Sequence, residues 1–183
     1  QRLVFDIGGG STEIVVGRRQ EPVRMESLYV GCVGLSRAHF PKGRLTAKAM
    51  RRAETAAHLE FQPVEAQFRA LGWQSAYGSS GTVRAIGAVV QARRWGEGDI
   101  TLDALYRLRD LLLAAGQVRQ LKSLGMSEER AAVLPGGLAI LIAAFEALKI
   151  ERLEVADGAL REGLLYDLLG RIRHEDVRAR TIA

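Results

Sequence analysis

The chain has 183 residues, 48% of them hydrophobic and 26% charged, and its 26 Lys and Arg against 21 Asp and Glu leave a net charge of +5. These are globular values, enough for one ordinary domain with a real core, and they exclude collagen-like and wholly disordered chains. The single cysteine, Cys32, excludes an internal disulfide framework and a multi-cysteine zinc site.

The chain opens at Gln1, and residues 3–7 already read as a strand, so an upstream portion of the native protein is expected to be absent. Residues 13–18 and 23–30 read as two more strands, with turn signals at Gln20, Glu21 and Pro22 between them. Three short strands with tight connections predict an antiparallel meander. Over 46–71 the apolar positions Met50, Ala53, Ala57, Phe61, Val64, Phe68 and Leu71 step by three and four, which is helical. Thr46 is the expected N-cap, and Pro63 is expected to bend or restart the helix. Residues 74–77 form a short strand that runs into a turn at 78–82, and a helix follows over 83–92. Residues 93–99 form a polar loop.

Thr101 and Ser127 are expected to cap two further helices; the first carries Leu105, Leu108, Leu111, Leu112 and Ala115 on one face. Pro135, Gly136 and Gly137 punctuate the second, leaving a buried helix over 138–148. Residues 153–156 form a last strand, which ends in Asp157 and Gly158 and feeds a helix over about 160–171. The longest run without a charge, 131–145, is too short and too broken to span a bilayer, so no membrane contact is expected. The architecture is α/β, a meander followed by two strand–turn–helix units.

Three glycine turns carry the chemistry. The first is Asp6-Ile7-Gly8-Gly9-Gly10-Ser11-Thr12-Glu13. The glycines let backbone approach a ligand, successive N–H groups can form an anion nest, and Ser11 and Thr12 add hydroxyl donors. Asp6 and Glu13 flank this cradle on strands that a hairpin would bring together. Two carboxylates beside a phosphate site suit Mg²⁺, which takes oxygen ligands, retained waters and substrate phosphates. The competing reading is a glycine hairpin with solvated acids.

The second turn contains Ser80, Gly81 and Thr82 ahead of a helix, where free N–H groups attract anions. Arg84 sits in the first turn of that helix, opposing its dipole; an ordinary Ser/Thr cap is the alternative. The third turn holds Gly158 and Arg161, which could reach a phosphate or simply face solvent. Cys32 reads as a small core residue. His39, His58 and His174 lack metal-ligand spacing, and Trp73 and Trp95 are isolated. The 22 Arg and 4 Lys are spread along the chain without a block, so nucleic acid is not an expected partner.

The motifs Asp6 to Glu13, Gly31-Cys32-Val33, Gly78 to Thr82, Leu134-Pro135-Gly136-Gly137-Leu138-Ala139-Ile140-Leu141 and Gly158-Ala159-Leu160-Arg161-Glu162-Gly163 stand in this order. The series closely resembles the exopolyphosphatase / guanosine pentaphosphate phosphatase family (Ppx/GppA) from residue 3 to about 167. The resemblance implies a ribonuclease-H-like lobe of the actin-like ATPase superfamily, a mixed sheet flanked by helices. Residues 1–170 would be the second of two lobes and 171–183 an exit segment; the missing N-terminal lobe would hold the catalytic base.

The resemblance also implies release of terminal phosphate from inorganic polyphosphate, or of the 5′-phosphate from guanosine pentaphosphate, with Mg²⁺. Asp6 and Glu13 match the metal-associated acids; Gly8, Gly9, Gly10, Ser11 and Thr12 match one phosphate loop, and Ser80, Gly81 and Thr82 the other. Gly34 departs from the family, which often carries a basic or bulky residue there. The rival functions are an ATP-using kinase of the same superfamily and a sensor of polyphosphate or guanosine penta- and tetraphosphate without turnover. A cytoplasmic location is expected, with a homodimer left open.

Overall fold

The computed structural model describes residues 1–19 and 21–156; the expected turn after 156, the helix over 160–171 and the exit segment lie outside the described residues. Strands β1 (Arg2–Ile7), β2 (Thr12–Arg18), β3 (Glu21–Leu28), β4 (Ser75–Ser79) and β5 (Glu154–Val155) form one sheet in the order β3-β2-β1-β4-β5. The first three make the expected antiparallel meander, and β4 pairs parallel with both β1 and β5. Alternation sets the two faces. Leu3, Phe5, Ile7, Thr12, Ile14 and Val16 are buried on one, while Asp6 and Glu13 stand half-buried on the other.

β3 begins at Glu21 and includes Pro22, where a turn was expected. A proline has no N–H to donate, but β3 is an edge of the described sheet, and Pro22 faces Gly17 where the register shifts.

The described residues form five α-helices: α1 (Cys32–His39), α2 (Ala47–Leu71), α3 (Gly81–Ala92), α4 (Leu102–Ala115) and α5 (Glu128–Leu148). Thr46, Thr101 and Ser127 cap α2, α4 and α5, each hydroxyl oxygen accepting from the backbone N–H three residues on. The buried stripe of α2 is the predicted one from Met50 to Phe68, with Phe61 against Phe5 at 6.4 Å between ring centroids. α2 runs unbroken through Pro63, where a bend or restart was expected.

Pro135 does not end a helix either; it lies inside α5, which is 21 residues long. The N–H of Gly136 is held from outside, donating to Ser36 Oγ at 3.0 Å, and that hydroxyl donates to Val133 O at 3.3 Å. Gly136 and Gly137 serve a close crossing: a Cβ on Gly136 would lie 2.5 Å from Ser36 Oγ, and one on Gly137 2.1 Å from Thr82 Cγ2. By length and composition α5 could cross a membrane, but 83% of its most apolar stretch is buried inside the fold, as a core helix requires.

One polar cluster ties α2, α4 and α5 together. His58 Nε2 and Tyr106 Oη both bond to Glu146, and Arg109 lies 3.5 Å from Glu54 and over the Tyr106 ring. Burial pushes the Glu54 carboxyl above the ordinary range, more than Arg109 lowers it, and burial with the Glu146 bond pushes Tyr106 up to about 12. The folded state therefore holds the Glu54 proton more tightly than the unfolded chain. Stability drawn from it declines as pH rises from the ordinary Glu value through the raised one. Glu54→Gln is expected to raise the Tm at pH 7 and to lose that advantage toward pH 4, measured by thermal melts across the range.

Candidate phosphate and metal site

The β1–β2 hairpin sets Asp6 directly opposite Glu13, and the parallel β1–β4 pair sets Ser79 opposite Asp6. The two acids and the ends of both glycine turns therefore meet at one end of the sheet, on strands about 4.8 Å apart. Ser27, opposite Glu13 on β3, donates to Glu13 Oε1 at 3.0 Å, and Ser11 Oγ donates to the same oxygen at 2.6 Å. Two hydroxyls thus orient this carboxylate and leave Oε2 without a bond among the described residues. Burial and then the Glu13 charge raise the Asp6 carboxyl above its ordinary range, and Arg84 partly offsets them. A cation between the two acids would relieve that repulsion.

The first glycine turn is anchored by its carbonyls. Gly8 O accepts from Cys32 N at 2.9 Å, and Gly9 O accepts from Val33 N at 3.0 Å and Gly34 N at 3.2 Å, which caps the start of α1. In a trans peptide the next N–H points opposite to the carbonyl. The amides of Gly9 and Gly10 therefore face away from α1, and neither donates to a backbone carbonyl among the described residues. Gly31 makes this docking possible: a Cβ there would lie 2.4 Å from Gly10 N and from Gly9 C and O.

The second turn is tighter than predicted. Gly78 and Ser79 complete β4, and Gly81 and Thr82 already belong to α3, so Ser80 alone makes the turn, at φ 138°. Its Oγ accepts from Val83 N at 3.2 Å.

Gly8, Gly9, Gly10, Ser11, Ser80 and Gly81 lie at least partly open at this end of the sheet. Thr12 and Thr82 are placed differently. Thr12 is wholly buried, and its hydroxyl donates to Val30 O at 2.6 Å. Thr82 is buried, with its methyl against Gly137. Gly158 and Arg161 lie outside the described residues. Sequence reasoning missed Arg130, at the start of α5, whose guanidinium lies within 2.3 Å of where a Gly81 Cβ would stand. The signal was available: like Arg84, it is a cation in the first turn of a helix, where the dipole disfavours it.

Among the described residues no group of three or more His, Cys, Asp or Glu could hold a metal ion. Asp6 and Glu13 offer two carboxylates, so further ligands would be waters, hydroxyls or phosphate oxygens. That donor set fits Mg²⁺, which keeps waters and takes one or two carboxylates with substrate phosphates.

The model described as the Ppx/GppA phosphatase family matches residues 1–172. A guanosine-5'-triphosphate,3'-diphosphate pyrophosphatase of Aeromonas hydrophila is 44% identical over 180 residues, 98% of this chain and 36% of that protein. Its counterpart from Vibrio cholerae is 44% identical over 182 residues, 100% of this chain and 36% of that protein. The chain thus spans about a third of the length of these curated relatives.

Among solved structures, an exopolyphosphatase-like protein superposes with a TM-score of 0.80 at 20% identity, over 93% of this chain and 60% of its own. An exopolyphosphatase from Cytophaga hutchinsonii gives 0.76 at 24% identity, over 92% and 56%. These likenesses show the fold, a mixed sheet with flanking helices that this chain shares with those proteins.

Proposed function

The chain belongs to the Ppx/GppA phosphatase family, and from this we propose that the whole protein is a phosphohydrolase acting on guanosine pentaphosphate. One observation carries the reading: Asp6, Glu13 and Ser79 stand in register at the sheet end where the outward amides of Gly9 and Gly10 begin. The choice of guanosine pentaphosphate over inorganic polyphosphate rests on the names of the relatives 44% identical to this chain.

In this reading water attacks the terminal phosphorus of the 5′-triphosphate. The new P–O bond forms as the bond to the bridging oxygen breaks, inorganic phosphate leaves with guanosine tetraphosphate, and the water proton passes to a base outside this chain. Asp6 and Glu13 would hold Mg²⁺, which when bound neutralises charge on the phosphoryl oxygens. Gly9 and Gly10 donate their amides to the terminal phosphate, as an anion nest does. Ser11 and Ser27 fix Glu13, and Arg84 and Arg130 add positive charge beside the second turn. The lobe that supplies the base closes over this face.

The products test the reading. Phosphorus NMR of the whole protein with guanosine pentaphosphate and Mg²⁺ is expected to show phosphate and tetraphosphate in equal amounts. Pyrophosphate as the released group, or tight binding without turnover, would contradict it; the second result would favour a sensor.

A further inference from the structure

We propose that a basic surface formed by the end of α1, the turn after it, the start of α2 and the segment after α4 docks the phosphate backbone of double-stranded nucleic acid. The proposal goes beyond the hydrolase reading and does not rest on it. Residues 27–53 hold six Lys and Arg, with His39, and no acid; residues 111–127 hold Arg119 and Lys122, again without an acid. The fold joins these two stretches. Arg44 bridges to Gln117, Leu45 N donates to Gly116 O at 3.0 Å, and a Cβ on Gly43 would stand 3.2 Å from Val118 Cβ. Arg44, between the end of α1 and the start of α2, is thereby brought beside the segment that carries Arg119 and Lys122.

All eight cations are exposed. Lys122 pairs with Glu128 at 3.1 Å; the other seven make no ion pair among the described residues. Elsewhere among the described residues some arginines pair with acids, as in Arg69–Glu65, Arg107–Asp103 and Arg109–Glu54, and others, such as Arg93 and Arg94, do not. The arrangement also opposes local stability. Lys48, Arg51 and Arg52 crowd the first two turns of α2, which has no acid in its first turn, whereas α4 and α5 place Asp103 and Glu128 with Glu129 there. Cations at a helix start repel its dipole and one another, which an external polyanion would reverse.

The chemistry selects the partner. Five of the seven unpaired cations are arginines, whose planar forks match phosphate oxygens. Of the exposed large apolar side chains, Val23, Met25 and Leu59 lie outside both stretches, and Tyr29, within the first, lies ahead of α1 and off the four segments that carry the cations. Those four segments therefore carry no exposed Phe, Tyr or Trp for stacking the bases of a single strand and no exposed large apolar group to enter a lipid layer. The surface spreads over four chain segments rather than along one line. A rigid duplex presents phosphates already arrayed in two dimensions, whereas a flexible polyphosphate would lose conformational entropy to match them. Contacts of this kind read the backbone and not the bases.

Fluorescence anisotropy of the whole protein with 20-base-pair RNA and DNA duplexes tests the proposal. Binding to either duplex in the range of about 10⁻⁴–10⁻⁶ M at physiological salt supports it, and the tighter of the two names the source. Arg51→Glu with Arg52→Glu is expected to weaken binding at least about tenfold and to flatten the log–log salt slope by about 2, while the Tm stays level or rises. Arg44→Glu with Arg119→Glu, on separate segments, is expected to weaken it similarly. Absence of duplex binding, unchanged affinity in both double variants, or tighter binding of single strands or inorganic polyphosphate at equal phosphate would overturn it.

Discussion

Glu13→Gln in the whole protein is expected to lower kcat for phosphate release by about 10³-fold, with KM changed far less. The amide oxygen can still accept from Ser11 and Ser27, which bond to Glu13 Oε1 at 2.6 and 3.0 Å. Side-chain size and position are kept, and the negative charge is removed. If the pair Asp6 and Glu13 holds a cation at the reacting phosphate, the loss falls on the transition state, where charge develops on the phosphoryl oxygens. Steady-state kinetics with a thermal melt of the same sample checks this. A variant with the normal Tm and the normal kcat would show that the opposed carboxylates serve the hairpin and not the chemistry.

Gly136→Ala is expected to destabilise the fold by about 3 kcal/mol, combining overpacking with a lost hydrogen bond. Its Cβ would meet Ser36 Oγ at 2.5 Å, Cys32 O at 2.6 Å and Ser36 N at 2.7 Å. Two of these atoms are backbone, so no rotamer change relieves the contact, and α1 must move away from α5. The Gly136 N–H bond to Ser36 Oγ goes with it. The effect reaches the site, because the first amides of α1 hold the carbonyls of Gly8 and Gly9. Gly34→Ala is the control. It lies exposed on α1, with nothing within 4 Å of its Cβ position, and is expected to be neutral or to stabilise by up to about 1 kcal/mol. Urea unfolding of both variants separates crossing geometry from glycine content.

The contrast between these glycines marks where the sequence is legible. Local patterns carried the meander, the stripe of α2 and the caps Thr46, Thr101 and Ser127, because each depends on neighbours three or four residues away. The facing of Asp6 and Glu13 was equally local, since two antiparallel strands joined by so short a turn have little choice of register. Alternation could also have placed Thr12 correctly: it shares the core side of β2 with Ile14 and Val16. α1 escaped notice because eight residues that include Gly34 and Ser36 show too little periodicity. Pro135, Gly136 and Gly137 read as a break because their reason lies about 100 residues away, in Ser36 and in the α1–α5 crossing. Gly31 beneath the glycine turn and Arg130 beside Gly81 are long-range placements of the same kind.

A crystal structure of the whole protein with Mg²⁺ and a methylene-bridged analogue of guanosine pentaphosphate addresses the carboxylate–glycine site most directly. The expected result is a metal about 2.1 Å from oxygens of Asp6 and Glu13, with the terminal phosphonate against the amides of Gly9 and Gly10. An analogue seated elsewhere in the cleft, with both carboxylates bound only to protein and solvent, would contradict the assignment.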